Sequence, residues 1–240
     1  MREDAKSALV LIPCCKEKCT GSPEPGDDPI QGISPLRERL WGHIVQTPEL
    51  SRRPENQRGI LNANAPQTPA KTLYRGQFYQ ACSGALSAKP ANVHILIVSA
   101  FYGLAQLEES LAEYELTMAD RLQSGHRVYQ FWTDGRLSDV LRQYVLGHNI
   151  SFVWSLLPDS QDFPYHRIFR QFWQNPDGIE CYHVKVFVDS GTSAGSGSGR
   201  KRGEWLNEIM TTNPALLCQP KLLPKEFKRI KGYQFKYVPA

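Results

Sequence analysis

The sequence has no long apolar run, no regular cysteine framework and no large excess of charge of one sign. No stretch approaches the roughly 20 apolar residues that a membrane helix needs, and the first residues, MREDAKSALVLIPCC, do not resemble a signal peptide. We therefore expect a cytoplasmic protein that does not bind membranes. Because 41% of the 240 residues are hydrophobic, the chain is able to bury a core unaided. We expect one domain over residues 1–240, with a basic C-terminal segment at 200–240.

The six cysteines do not have the spacing of a disulfide-stapled secreted domain, so we expect reduced thiols. The run CCKEKC also lacks the C-x2-C spacing of common structural zinc sites, and no pair of zinc ligands follows at a suitable distance. We expect no metal and no cofactor. The formal net charge of +4 is too small to predict nucleic-acid binding by itself, so the positions of the positive charges matter more than their sum.

Short apolar runs alternate with segments of helical spacing. The predicted strands are 8–13, 94–100, 150–157 and 182–188, and the predicted helices are 35–45, 77–86 and 128–146. The first two strands are apolar at almost every position, which is typical of strands covered on both faces. This alternation predicts an α/β fold with a mixed or parallel central sheet and flanking helices, and leaves the strand order open.

Three segments rich in Pro, Gly or Ser interrupt this pattern. Residues 23–35 and 52–71 are predicted to be surface loops because prolines and turn formers recur in both. Residues 190–199, with the sequence SGTSAGSGSG, form either a flexible linker or a loop that faces a phosphate.

Cys14 directly follows the first predicted strand, with Lys16 and Lys18 close behind it. Ligands of open α/β sheets bind outside the carboxyl ends of strands. Nearby ammonium groups would lower the pKa of a thiol there and make it a nucleophile at neutral pH. Cys14 and Lys16 are therefore candidate catalytic residues. The alternative is a small buried cysteine that closes a strand.

The turn SAFYGL follows the second predicted strand and supplies further candidates. Gly103 permits a sharp turn that would leave the hydroxyls of Ser99 and Tyr102 at the end of the strand. Downstream, Glu113 is a candidate general acid or base, and Arg121 supplies a planar cation. A purely structural turn followed by solvated charges is the alternative.

Two further segments have residues suited to anions. Arg75 and Gly76 lie between aromatic residues at a predicted helix start, which suits an anion or a stacked ring, although an aromatic cluster explains the pattern equally well. In the C-terminal segment, cations alternate with aromatic residues, a mixture that neutralises phosphates and stacks bases. Its candidate nucleic-acid contacts are Arg200, Lys201, Lys228, Arg229 and Lys231. A basic solubilising tail is the alternative.

The motifs, taken in order, resemble those of the YaaA family and its shorter relatives. They are LIPCCKEK, YRGQFYQAC, VSAFYGLAQLEESLAEYELTM, VYQFWTDGRLSDVL, FVWSLL, GRKRGEWLNE and KGYQFKY. The resemblance implies a compact α/β protein that binds duplex DNA, contains a helix-hairpin-helix-like element and protects cells from peroxide stress and free iron. It places site residues at Lys16, Arg75, Gly76, Ser99, Tyr102, Gly103, Tyr114, Trp132, Asp134 and Arg202.

The chain departs from the family pattern at three places. Pro13, Cys14 and Cys15 stand where YaaA proteins have SPA, and AQLEES replaces LRPLD. The segment PCxxxK is similar to the thiol segment of the archaeosine synthase core, which acts on a modified base in tRNA. The helix-hairpin-helix element would follow Leu157, where no Gly-containing hairpin is visible.

Two functions follow from these observations. The first is a nucleic-acid-binding protein with a role in stress protection. The second is an enzyme, a transferase or hydrolase, that acts on a nucleobase, nucleoside or nucleotide. In the enzyme, the ring would lie beside Tyr102 and Trp132, and Cys14 or Glu113 would do the chemistry. The expected partner is accordingly nucleic acid or a nucleotide-like small molecule, and the sequence does not predict the oligomeric state.

Overall fold

The structure is a computed structural model that describes residues 6–19, 26–87, 89–160, 164–187, 198–226, 228–231 and 233–240. The strands are Ser7–Pro13 (β1), Gln67–Pro69 (β2), Val93–Ser99 (β3), Gly103–Gln106 (β4), Ser110–Ala112 (β5), Ile150–Ser155 (β6), Glu180–Phe187 (β7), Arg229–Ile230 (β8) and Tyr233–Pro239 (β9). The helices are Ser34–Val45 (α1), Pro48–Ser51 (α2), Pro54–Arg58 (α3), Ala70–Leu73 (α4), Gln77–Ser87 (α5), Val128–Asp134 (α6), Leu137–Gly147 (α7), Arg170–Gln174 (α8), Ser198–Thr212 (α9) and Leu223–Glu226 (α10). Short 3-10 turns cover His166–Phe169 and Pro214–Cys218. In these ranges, no helix is both long and apolar enough to cross a membrane.

A seven-stranded mixed sheet with the order β4-β3-β1-β6-β7-β9-β8 forms the centre of the fold. Strands β3, β1, β6 and β7 are parallel, while β4 and β9 pair antiparallel to β3 and β7. A separate two-stranded sheet joins β2 to β5. The α/β prediction with a mixed central sheet is confirmed. Because the four parallel strands run in one direction, their carboxyl ends meet at the same edge of the sheet.

Both faces of the central sheet are covered, as the apolar strands predicted. Residues 8–12 of β1 are fully buried. On one face, the ring of Trp205 in α9 lies 6.1 Å from that of Trp154 in β6. On the other face, the His166 ring stacks on His183 of β7 at 4.2 Å.

The prediction of one continuous helix over 128–146 is wrong, because the segment forms α6 and α7. Arg136 lies between them in the left-handed region, with φ of 60°, and ends the helical geometry. Gly135 closes α6 by donating its N–H to the carbonyl of Phe131 at 2.8 Å. Both helices turn apolar residues toward the same core, so their combined pattern has the period of a single helix.

The prediction that 52–71 is a loop is also wrong, because this segment contains α3, β2 and the start of α4. Pro54 stands in the first turn of α3, where its missing N–H costs nothing. The buried side chain of Asn56 donates to the carbonyl of Leu50 at 2.8 Å and accepts the N–H of Glu115 at 2.7 Å. Polar residues that suggest a loop therefore serve here as internal hydrogen-bond partners.

Two elements near the C-terminus lie outside the sequence predictions. Helix α9 packs closely on α5 at Gly203, where an added Cβ would lie 2.4 Å from the carbonyl oxygen of Phe78. Strand β9 pairs with β7 and turns Phe235 and Tyr237 toward Trp205 of α9. The Gly/Ser run at 190–199 lies outside the described residues, except that Ser198 and Gly199 begin α9.

Candidate functional site

Thiol, amine and hydroxyl side chains gather at the carboxyl ends of β1 and β3. We call this group the strand-end cluster, and its members are Cys14, Cys15, Lys18, Tyr74, Ser99, Tyr114 and Tyr165. The N–H of Cys14 donates to the carbonyl of Val98 in β3 at 3.0 Å, so the first residue after β1 is still held by the sheet. The cluster therefore starts from rigid backbone.

The half-buried Cys14 has a phenol as its neighbour. Its Sγ lies 3.2 Å from the hydroxyl of Tyr165, a buried residue that follows the third parallel strand, β6. Burial raises the pKa of Tyr165 well above its ordinary value, so the phenol keeps its proton and can donate to the sulfur. Sequence reasoning missed Tyr165, because nothing near it marks a loop residue that reaches β1.

The ammonium group of the cluster comes from Lys18. Its Nζ lies 4.1 Å from the centre of the Tyr114 ring and 5.8 Å from that of Tyr74. Burial lowers the pKa of Lys18, while negative charge on Cys14 or Cys15 would raise it. Lys16, the predicted residue, has an 81% exposed side chain and forms an ion pair with Glu115 at 3.4 Å. Of the two lysines, Lys18 is thus the one whose ammonium group packs on the tyrosines of the cluster.

The Arg75 segment packs directly on the cysteine segment. The N–H of Arg75 donates to the carbonyl of Glu17 at 3.0 Å, and the N–H of Gly76 donates to the Sγ of Cys15 at 3.2 Å. Burial raises the pKa of Cys15 to about 11, which keeps this thiol protonated at neutral pH. The side chain of Arg75 is exposed beside the cluster, where it remains a candidate for contact with an anion.

Three buried hydroxyl groups of the cluster are joined by hydrogen bonds. The Oγ of Ser99 lies 2.8 Å from the hydroxyl of Tyr114, which lies 3.0 Å from that of Tyr74. Burial raises the pKa of both tyrosines well above the ordinary value. Ser99 also accepts the N–H of Tyr102 at 2.9 Å, so this hydroxyl shapes the SAFYGL turn.

The rest of the SAFYGL turn is held by internal contacts. The Tyr102 hydroxyl donates to the carbonyl of Ala112 at 3.0 Å and accepts the N–H of the same residue at 2.8 Å. Gly103 has φ of 68°, and an added Cβ would lie 2.9 Å from the ring of Trp132. Trp132 is fully buried and donates to the carbonyl of Ala100 at 2.8 Å. These three residues position the turn, and the Tyr102 hydroxyl bonds the backbone of Ala112.

Three predicted charged residues take part in other contacts. Glu113 forms an ion pair with Arg58 at 3.6 Å, yet its charge still acts on Lys18. Asp134 lies 3.5 Å from exposed His126. Arg121 donates to the carbonyl of Gly125 at 3.3 Å on the surface. Only Glu113 therefore lies near the strand-end cluster, and catalytic roles for all the named residues remain predictions.

A second cationic region lies farther along the sheet, on β7, β9 and β8. Lys185 and Lys236 stand directly opposite each other, and the next row places Phe187 opposite Gln234, which in turn faces Arg229. Cross-strand partners project from the same face of a sheet. We call these five residues the cationic face. Both lysines are exposed, and neither forms an ion pair with a carboxylate of the described chain.

Arg202 lies at the edge of this cationic face, beside a cavity of about 310 Å³. Its Nε donates to the carbonyl of Val184 and its Nη1 to the Oγ of Ser198, both at 3.3 Å. Burial lowers the pKa of Arg202 to about 10. Asp159, His183 and Lys185 also line the cavity, which leaves Arg202 and Lys185 on its wall as two cations.

The other predicted cations lie in different surroundings. Arg200 and Lys201 both bind Glu204, at 3.2 and 2.9 Å, and the Nζ of Lys201 also lies 4.1 Å from the centre of the Tyr233 ring. Lys228 and Lys231 are exposed on either side of β8, and Arg229 belongs to the cationic face. The Arg200–Arg202 run is thus divided, with only its last residue at the cavity.

The region expected to hold a helix-hairpin-helix element contains a 3-10 turn at His166–Phe169 and the five-residue helix α8 in its described part. A comparison with protein families matches residues 45–175, more than half of the chain, to a family described as peroxide stress protein YaaA. The matched segment includes Tyr74, Ser99, Tyr114 and Tyr165 but ends before the cationic face. No curated protein matches the chain.

Proposed function

The chain belongs to the peroxide stress protein YaaA family, and from that premise we propose that it binds nucleic acid through the cationic face as part of a protective role. The observation that carries this proposal is the direct opposition of Lys185 and Lys236 on an exposed antiparallel strand pair. Like charges placed directly opposite each other destabilise a sheet. A bound polyanion would remove that repulsion.

The composition of the cationic face suits a phosphate backbone with bases beside it. Lys185, Lys236 and Arg229 provide cations on three neighbouring strands, and Arg202 adds a fourth at the adjoining cavity. The Nζ of Lys236 lies 4.6 Å from the centre of the Phe187 ring, so an aromatic surface accompanies the charge. Cations beside an aromatic ring are the combination that holds backbone phosphates and stacks bases.

Salt dependence provides the first test. If four phosphates are contacted, affinity for duplex DNA should fall about a hundredfold between 50 and 200 mM salt. Fluorescence anisotropy measures how the affinity depends on salt concentration. Comparing a labelled duplex with a labelled single strand of the same sequence shows which of the two the protein binds more tightly. Affinity that does not change with salt contradicts the proposal.

A pair of double variants locates the interface. Lys185→Ala/Lys236→Ala should weaken binding about tenfold or more at 100 mM salt, because two phosphate contacts are lost. Arg39→Ala/Arg52→Ala removes the same charge from two other exposed positions and should change affinity less than twofold. Equal losses in the two variants would indicate that net charge, rather than the cationic face, governs binding.

A second candidate function is an enzyme, a transferase or hydrolase, that acts on a nucleobase, nucleoside or nucleotide at the strand-end cluster. The observation that favours it is the position of Cys14 at the carboxyl end of β1, where its Sγ lies 3.2 Å from the hydroxyl of Tyr165 within the strand-end cluster. Turnover of a nucleotide panel should be lost in Cys14→Ser and retained in Cys82→Ser, whose thiol is buried elsewhere. Turnover that survives in Cys14→Ser excludes the nucleophile.

A further inference from the structure

A groove of about 930 Å³ lies beside α8, and none of the described residues that line it belongs to the strand-end cluster. Its walls combine aromatic rings with arginines. We call it the aromatic groove, and the members that matter here are Tyr129, Asp159, His166, Arg167, Arg170 and Trp173. Cavities of this size enclose small ring systems together with their polar substituents.

Trp173 presents a fixed ring to the aromatic groove. Its ring stacks on that of His166 at 5.0 Å, with 16° between the planes, and its Nε1 donates to the carbonyl of His166 at 2.9 Å. Phe169 and Phe172 meet the indole edge to face at 5.9 and 5.2 Å. The side chain is half-buried on the wall of the groove. Such a ring is a platform for a nucleobase, because every base has a π-face that stacks on an aromatic side chain.

Arg170 supplies the positive charge of the aromatic groove. The neighbouring Arg167 is paired with Asp159 at 2.7 Å, so these two side chains compensate each other. Arg170 is exposed and forms no ion pair with a carboxylate of the described chain. A guanidinium group binds phosphate oxygens through two parallel N–H donors. The groove therefore offers a ring for a base and a cation for the phosphate beside it.

The aromatic groove adjoins the cationic face. His166 stacks on His183 at 4.2 Å, and His183 lines the cavity beside Arg202. Asp159 lies on the walls of both cavities. On β7, Lys185 is two residues beyond His183, so the two side chains project from the same face roughly 7 Å apart. A chain of phosphates bound at the cationic face therefore leads directly to the groove.

We propose that the aromatic groove binds an unpaired base of a nucleic acid whose paired part lies on the cationic face, an inference that rests on the proposed function. The base stacks on Trp173, and Arg170 contacts its phosphate. In a duplex, neighbouring bases cover both faces of each base, whereas an unpaired base has a face free for an aromatic side chain. The groove thus selects nucleic acid in which paired and unpaired stretches meet.

Fluorescence anisotropy with three labelled duplexes of equal length tests this selectivity. The first duplex is continuous, and the second has a gap that leaves about four nucleotides of one strand unpaired. The third has the same gap built from abasic sugars, so it keeps the phosphates and lacks the bases. The gapped duplex should bind about tenfold more tightly than the other two, because stacking requires the bases.

A pair of tryptophan variants locates the stacking platform. Trp173→Leu should lower the affinity for the gapped duplex about tenfold and leave that for the continuous duplex within about twofold. Trp41→Leu is the matched control, because Trp41 also donates its indole N–H to a backbone carbonyl, that of Ile60 at 3.2 Å, but lies on α1. It should leave the preference for the gap unchanged.

A pair of arginine variants tests the phosphate contact. Arg170→Gln should weaken binding of the gapped and the abasic duplex about threefold each, because one phosphate contact is lost in both. Arg52→Gln removes another exposed arginine that does not line the groove, and it should change neither affinity.

Photochemical crosslinking of the parent protein decides the question if circular dichroism shows that Trp173→Leu does not fold. With 5-iodouracil in the gap, the crosslinked base should be found on the tryptic peptide QFWQNPDGIECYHVK, which contains Trp173. A crosslink confined to other peptides overturns the proposal.

The three duplexes also separate this inference from the proposed function. Equal affinity for the gapped and continuous duplexes, or for the gapped and abasic ones, overturns the groove and leaves the cationic face standing. Lys185→Ala/Lys236→Ala should weaken binding of all three duplexes alike. If this double variant binds all three as tightly as the parent while Trp173→Leu loses the gap preference, the cationic face alone is overturned. A parent protein that binds none of the three overturns both.

Discussion

The backbone N–H of Gly76 donates to the Sγ of Cys15 at 3.2 Å, which joins the start of α5 to the segment that follows β1. An added Cβ at Gly76 would lie 2.9 Å from the Cβ of Cys15. This close approach is possible because glycine has no side chain. It holds the Cys14 segment against the sheet, and a substitution at position 76 therefore tests the support of the strand-end cluster.

Gly76→Ala should destabilise the fold by about 1–3 kcal/mol, because the new methyl group meets carbon rather than the end of a flexible side chain. The free energy of unfolding from urea titrations measures the loss. Gly42→Ala is the matched control, since no atom lies within 4 Å of its added Cβ, and alanine should stabilise α1 by up to about 1 kcal/mol there. Equal stability of the two variants would show that the cysteine segment moves freely.

Arg37 stabilises the SAFYGL turn through hydrogen bonds to its backbone carbonyls. Its Nε donates to the carbonyl of Tyr102 and its Nη2 to that of Leu104, both at 2.8 Å, while Nη1 forms an ion pair with Glu109. The two charged side chains are only 12% and 3% exposed. Arg37→Met leaves the Glu109 carboxylate buried and uncompensated, so we expect a loss of about 3–5 kcal/mol.

Urea denaturation of Arg37→Met against Arg58→Met measures this contribution. Arg58 also pairs with glutamates, but its side chain is 59% exposed, so its loss should cost below about 1 kcal/mol. If Arg37→Met lowers the free energy of unfolding by less than about 1 kcal/mol, the expectation is contradicted, because solvent then reaches the Glu109 carboxylate.

Two stacked histidines make stability depend on pH. Burial lowers the pKa of His166 to about 4 and that of His183 to about 3, whereas both rings titrate near 6.5 in the unfolded chain. Below pH 6.5 the unfolded state binds more protons than the folded state, so stability falls as the pH falls. The slope reaches roughly 1.4 kcal/mol per pH unit for each ring, down to about pH 4 for His166 and pH 3 for His183.

His183→Gln should make this dependence less steep between pH 7 and 5, because it removes one of three rings with a lowered pKa, the third being His94 with a pKa of about 4. The Nε2 of His183 lies 3.0 Å from the carbonyl of Leu157, and the glutamine amide provides a replacement donor. Free energies of unfolding at four pH values measure the slope. His126→Gln removes a ring that is 61% exposed and should leave the slope as it was. If the slope of stability against pH is unchanged in His183→Gln, the lowered pKa of His183 is not a source of the pH dependence.

The parts of the fold that depend on local pattern could be predicted from the sequence. Strands β1 and β3 are apolar at almost every position, so Cys14 and Ser99 could be placed at strand ends on one edge of the sheet. The α/β class followed from the same pattern. The SAFYGL turn could be located from the sequence. The hydrogen bonds between the Tyr102 hydroxyl and Ala112 could not, because they depend on where the chain runs after the turn.

The remaining features depend on pairings across long sequence separations. Tyr165 reaches Cys14 from 151 residues away. Lys185 and Lys236 share a face only because β9 returns beside β7 in one register, and a slip of one residue would direct Lys236 to the other face. The position of Lys18 over the tyrosine rings depends on the bend after β1, where Lys18 forms a bridge to Tyr74. None of these relationships has a local signal.

The divided Arg200–Arg202 run allows a final test of the nucleic-acid interface. Arg200 is paired with Glu204 at 3.2 Å, so its charge is already compensated, whereas Arg202 forms no ion pair with a carboxylate of the described residues. Arg202→Met should therefore weaken duplex binding about tenfold and lower the slope of log K against log salt by about one. Arg200→Met should change affinity less than twofold.

Arg202→Lys separates charge from packing in the same assay. The lysine keeps a cation near Lys185 but loses the hydrogen bonds to Val184 and Ser198, so it should recover the salt slope and part of the affinity. If Arg200→Met weakens binding as much as Arg202→Met, the interface extends over the outer side of α9. The cavity beside Arg202 would then have no special role, because an ion-paired arginine would serve as well.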